Sequence, residues 1–146
     1  MPEKETLERA REDAREGKSP STQAGEFVRE EMHHVREGKH GAASTKQAIA
    51  IGLSKARRAG VKLGAPKGNA SPELKKKAEQ DSSKAHSRRR PSAKRSRAIT
   101  GALKREGHSA ASRSALSRQA RSSARKRGAA SRSQAARKAA RTRARS

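Results

Sequence analysis

The sequence predicts an all-α fold: a small helical hairpin module followed by a long, largely disordered basic tail. Three observations lead there. Nine of the 15 strong hydrophobics (Val, Ile, Leu, Met, Phe) fall between Phe27 and Leu63, at helical spacing. Glycines flanked by cations, as in Arg15-Glu16-Gly17-Lys18, Arg36-Glu37-Gly38-Lys39 and Arg105-Glu106-Gly107-His108, mark helix ends. The last 66 residues carry 21 Lys/Arg, 16 Ala and 14 Ser, and hold Ile99, Leu103 and Leu116 as their strong hydrophobics. Low hydrophobicity at high net charge is the composition of disorder.

The elements follow in chain order. Residues 1–20 read as a charged leader with a marginal helix from about Glu3 to Glu16, whose apolar stripe is Leu7, Ala10 and Ala14. A second helix opens near Ser19-Pro20 or Ser21 and ends at Glu37, with Ala24, Phe27, Val28, Met32 and Val35 on one face. A third opens at Ser44, where Ser44-x-x-Gln47 forms a capping box, and ends at Ala59-Gly60, with Val61 placed to touch Ala56. Residues 38–43 are short enough to join the pair as a hairpin, so 21–64 is the module. Residues 65–80 are a linker, around Gly64-Ala65-Pro66-Lys67-Gly68-Asn69, and a short helix opening at Ser71-Pro72-Glu73. Residues 81–146 form the tail, in which serial like charges and frequent Ser oppose the helix propensity of Ala, Arg and Lys. The second Ser-x-x-Gln, at Ser131 and Gln134, reads as drift in a biased composition.

Charge narrows the function. Across 146 residues, 38 Lys+Arg stand against 14 Asp+Glu, a net +24. Residues 1–40 are net −2, residues 41–80 net +7 and residues 81–146 net +19. There is no Cys, which excludes disulfides, thiol catalysis and Cys-ligated zinc. No apolar run approaches a membrane span, and Met1-Pro2-Glu3-Lys4-Glu5 is not a signal peptide, so a soluble, cytoplasmic protein is expected. Phe27 is the single aromatic, which disfavours base stacking and tilts the expected partner toward duplex phosphates, with RNA as the alternative.

The strings running from Glu26-Phe27-Val28-Arg29-Glu30-Glu31-Met32-His33-His34-Val35 to Gly41, and from Ser44-Thr45-Lys46-Gln47-Ala48-Ile49-Ala50-Ile51-Gly52-Leu53 to Leu63, resemble a small bacterial family of basic domains of unknown function. Its members are sometimes labelled DNA-binding or plasmid-stabilisation-like. The tail resembles the Ala/Lys/Arg-rich tails of bacterial histone-like proteins.

The chemistry-bearing residues are few. Glu30-x-x-His33, Glu31-x-x-His34 and Glu37-x-x-His40 put carboxylate and imidazole on one helix face, a spacing that di-metal bundles use. Such sites need four helices and a buried shell, and only two good helices are expected, so no metal, cofactor or catalytic residue is anticipated. Ala48, Gly52, Leu53 and Ser54 have the spacing of a helix-turn-helix, but Gln47 and Arg58 fall where that motif wants apolar residues.

The expectation is a non-enzymatic, non-specific DNA-binding, nucleoid-associated protein. Its phosphate contacts would come from Lys46, Lys55, Arg57, Arg58 and Lys62 in the module. In the tail they would come from Arg88, Arg89, Arg90, Lys94, Arg95, Arg97, Arg125, Lys126, Arg127, Arg137, Lys138, Arg141, Arg143 and Arg145. RNA or ribosome association and a protein-interaction module of a plasmid-maintenance system are the alternatives. Two helices with nine strong hydrophobics bury poorly alone, which makes residues 21–64 a candidate homodimer surface.

Overall fold

Serine sets the start of five helices. Ser19, Ser44, Ser71, Ser92 and Ser112 each stand in extended backbone just before a helix, and each side chain accepts a hydrogen bond from the amide three residues on. That contact satisfies one of the donors a helix start leaves free. The computed structural model describes residues 2–67, 70–87 and 89–145. Among them the helices are α1 (Lys4–Arg15), α2 (Pro20–Arg36), α3 (Thr45–Arg58), α4 (Pro72–Ser83), α5 (Ala93–Lys104) and α6 (Arg113–Ala144), with short 3-10 turns at Lys84–His86 and Ser109–Ala111. Of the expected linker, Gly68 and Asn69 lie outside the described residues.

The first three helices end as their glycines predict. At α3, Gly60 has φ +98°, its amide donates to Arg57, and Val61 donates to Ala56 at 3.0 Å. This is the paired closure of a Schellman turn. The same closure recurs beyond α1 and α2. Gly107 is not at positive φ, so the third expected mark is not a turn of this kind.

The chain divides into two units, Met1–Ala111 and Ser112–Ser146. In the first, α2 packs on α3, α1 on α2 and α4 on α3. A Cβ on Gly52 would stand 2.7 Å from the Val28 Cα, so the α2–α3 crossing admits no side chain there. Ala10, Ala24, Phe27 and Ala56 form the core, with Leu7, Leu53, Val61 and Leu63 against it. Small side chains bring the backbones close, and α1 and α4 supply cover that two helices alone lack. Asp81 is buried on α4, where it accepts from Ser54 Oγ at 2.6 Å and pairs with Lys77 at 3.2 Å.

The second half of the first unit returns to the α2–α3 connection. Residues 103–111, the end of α5 and the turn after it, lie along this connection. Gly41 N donates to Leu103 O at 2.8 Å, and Ala42 N donates to Gly107 O at 3.0 Å. Thr45 Oγ1 donates to Ala110 O at 2.6 Å, and Arg36 Nε donates to Ala111 O at 2.9 Å. Ala110 and Ala111 are buried by the contact.

The second unit is α6, and it corrects the expected tail. Helices α5 and α6 cover 93–104 and 113–144, so the chain is not a hairpin with a disordered extension. Ser92 and Ser112 cap them, and the helix propensity of Ala, Arg and Lys outweighs the repulsion between their charges. α6 buries no side chain and breaks at Gly128, where φ is +75° and ψ 166°. Ser131 and Gln134 fall inside it and open no helix. The histone-like, nucleoid-associated DNA-binding reading required a flexible tail to mould itself to phosphates. With ordered helices in its place, that reading is overturned, together with the RNA or ribosome alternative that relied on the same tail and the plasmid-maintenance alternative that used the tail for localisation.

Candidate metal centre

Helix α2 turns one charged stripe inward. Glu30, Glu31, Met32 and Val35 are buried on it, and Glu31 is fully enclosed. The turn after α2 then reverses the chain and returns His40 to the flank of the helix. Four segments meet there: Glu3 before α1, Glu30, Glu31 and His34 on α2, His40 on the connection, and Lys55 on α3.

His40 Nδ1 donates to Gly41 O at 2.9 Å. A carbonyl oxygen only accepts, so this bond places the ring proton on Nδ1. His40 Nε2 stands 3.0 Å from Glu31 Oε2. His34 Nε2 donates to Glu3 Oε1 at 3.0 Å, which leaves His34 Nδ1 facing Glu31 Oε1 at 3.9 Å. The two rings meet edge to face, with centroids 6.0 Å apart. Each imidazole therefore spends its N–H on an outer acceptor and turns its other nitrogen toward one buried carboxylate. Metal-binding histidines are held in this way.

Around this set lie charges of both signs. Lys55 Nζ donates to Glu31 Oε1. Glu31 Oε2 has no hydrogen-bond partner and neither does Glu30 Oε2, although the residues are 0% and 4% exposed. Leaving such an atom without a donor in the interior costs about 1–3 kcal/mol, more for a charged group. Glu30 Oε1 accepts from the Glu3 amide at 3.1 Å. His34 first, and then Lys39 at 3.1 Å, hold the exposed Glu3 carboxyl below the ordinary carboxylate range. Ligand atoms of Glu31, His34 and His40 lie within 4.8 Å of one another, and so do those of Glu3, Glu30 and His34.

Sequence spacing found part of this set. Glu31 and His34 meet, whereas His33 and Glu37 are exposed, and His40 faces Glu31 instead of Glu37. The expectation that no buried shell could surround these groups is corrected, because α1, α3 and the 103–111 segment close around α2. Glu3 was missed, since a contact 31 residues away leaves no spacing signal.

The cations expected to contact phosphate are dispersed. Lys55 is held by Glu31, and Arg58 pairs with Asp81 at 3.7 Å. Arg57 is buried and donates to Gly64 O at 3.2 Å. Lys46 and Lys62 are exposed, as are Arg89 and Arg90, and Lys94, Arg95 and Arg97 on α5. Arg125, Lys126, Arg127, Arg137, Lys138, Arg141 and Arg143 on α6 are exposed too, as is Arg145 at its end. Arg88 lies outside the described residues. Helix α3 runs unbroken through Gly52, which leaves no helix-turn-helix bend.

Among the described residues no helix is long and apolar enough to cross a membrane. No curated protein and no solved structure matches the chain. Residues 15–67, which hold α2, α3 and the connection with Glu31, His34, His40 and Lys55, match a family of unknown function (DUF6496).

Proposed function

We propose that the first unit is a non-catalytic binding module that takes one divalent transition-metal ion on Glu31 Oε2, His34 Nδ1 and His40 Nε2. The observation that carries this reading is the facing of two imidazole nitrogens, both with their protons placed elsewhere, onto a carboxylate that is 0% exposed. Lone pairs directed at one another in a low-dielectric interior repel unless a cation lies among them. Two imidazoles and one carboxylate suit zinc and its first-row neighbours, and leave coordination positions open. Donor atoms that ligate one ion at about 2.0–2.2 Å stand roughly 3–3.6 Å apart. His40 Nε2 and Glu31 Oε2, 3.0 Å apart, already stand in that range, and with the ligand atoms of Glu31, His34 and His40 all within 4.8 Å of one another a movement of the His34 ring completes the set. Lys55 engages Oε1 and leaves Oε2 free for the ion. An ion there would tie α2 to the connection that leads into α3, a structural role.

The net charge of +24 works against loose binding of cations, so any tight site must be local. The test is calorimetric titration of the full chain with Zn2+, and with Co2+ read by its visible absorption. One ion per chain is expected, with affinity reduced at least tenfold in Glu31→Gln and in His40→Ala. A chain that takes up no Zn2+ at micromolar concentrations, or whose binding neither substitution changes, would overturn the proposal.

A further inference from the structure

We infer that residues 103–111 are the positioning element of the metal site: by clamping the His40–Ala42 backbone they fix His40 at the distance from Glu31 that an ion requires. This rests on the metal-binding reading above. The connection after α2 has no regular secondary structure to hold it. Its backbone donors go instead to residues 103–111, the strap, with Gly41 N donating to Leu103 O and Ala42 N to Gly107 O. The strap is itself anchored on both sides, by Thr45 Oγ1 on α3 and Arg36 Nε on α2, which donate to the carbonyls of Ala110 and Ala111. Gly41 O, on the same residue the strap grips, receives the His40 Nδ1 proton. One peptide thus couples the strap to the tautomer and aim of the imidazole. The strap lies outside the stretch that matches the family, residues 15–67, so here a segment far along the chain supplies the support.

Gly41 makes this testable. A Cβ there would stand 2.0 Å from Glu106 O and 2.6 Å from Gly107 O, both backbone atoms that cannot swing aside. Its φ is not in the left-handed region, so alanine strains the strap contact and not the connection's own backbone. Gly41→Ala should therefore lift the strap.

The experiment measures Zn2+ affinity of the full chain, its Gly41→Ala variant and its Thr45→Val variant. It is paired with hydrogen exchange of the Gly41 and Ala42 amides, followed by NMR with and without Zn2+. Outer-shell supports of metal ligands are typically worth about 10–100-fold in affinity, so Gly41→Ala should fall in that range and Thr45→Val below it. By linkage, Zn2+ should slow exchange of both amides in the unmodified chain by the factor through which the strap strengthens binding. If the unmodified chain takes no Zn2+, the metal reading fails and this inference with it. If Zn2+ binds but both variants bind it equally well and the two amides exchange alike with and without the ion, the strap inference alone is overturned. Should Gly41→Ala lose its helical signal, Thr45→Val and the amide exchange decide.

Discussion

Helices α2 and α6 are built from the same signals and held in different ways. Each opens with a serine cap. Helix α2 buries Ala24, Phe27, Glu30, Glu31, Met32 and Val35, and tertiary contacts surround it. Helix α6 is nearly twice as long and buries nothing. Its stability is local, from the Ser112 cap and from Ala and Arg propensity, offset by repulsion among twelve cations with no acid between residues 112 and 146. The comparison teaches that composition separates a packed helix from an unpacked one better than it separates helix from coil. The poverty of hydrophobics in 81–146 correctly signalled the lack of a core in α6. Disorder does not follow from it when alanine and arginine dominate and a cap is present.

The largest test of the contrast is Phe27→Ala. Phe27 is the largest buried side chain, and truncating such a residue costs about 3–5 kcal/mol. Amide exchange should accelerate throughout α1–α3 while α6 keeps its own rate. Loss of α6 protection in parallel would show that α6 draws on that core after all.

Gly60→Val comes next. A β-branched residue forced to φ +98° should destabilise the first unit by about 1–2 kcal/mol, read as a shift in its urea midpoint. An unchanged midpoint would mean that the end of α3 can close without a left-handed residue.

Ser112→Ala reverses the target. Losing the cap should cost about 0.5–2 kcal/mol of helix stability, seen as faster exchange in the first turns of α6 with the first unit unchanged. Salt gives the smallest effect. Raising it to about 0.5 M shortens the screening length to a few ångströms and should add helicity to α6, where like charges oppose it. The Glu31–Lys55 pair should change less, because Glu31 is enclosed and a partly buried pair is screened much less than exposed charges. A fall in α6 helicity on adding salt would mean that its charges help the helix.

The candidate site was only partly legible. Glu31 and His34, three residues apart on a predicted helix, could be read as neighbours, because helical geometry relates them without reference to the rest of the chain. His40 could not be assigned its partner, since the turn that separates it from α2 decides whether it faces Glu31 or Glu37. Lys55 read as a surface cation, because a basic residue near a helix end looks the same whether it meets solvent or a buried carboxylate. The strap had no signal at all. Residues 103–111 contain Gly107 and small alanines, and nothing in that pattern names Gly41 as their target.

The sequence by itself determined the ends of the first three helices, the charge map and the apolar part of the inward face of α2. Caps, glycine turns and 3.6-residue periodicity are settled by backbone hydrogen bonds and side chains within a few residues. Only the tertiary structure decided that α1 belongs to the core, that Glu3 reaches His34, that Lys55 neutralises half of Glu31, and that a distant segment holds His40 in place. Those outcomes depend on which surfaces meet once the chain reverses, and the same local sequence is compatible with many such meetings until close packing, as at Gly52 and Gly41, leaves room for one.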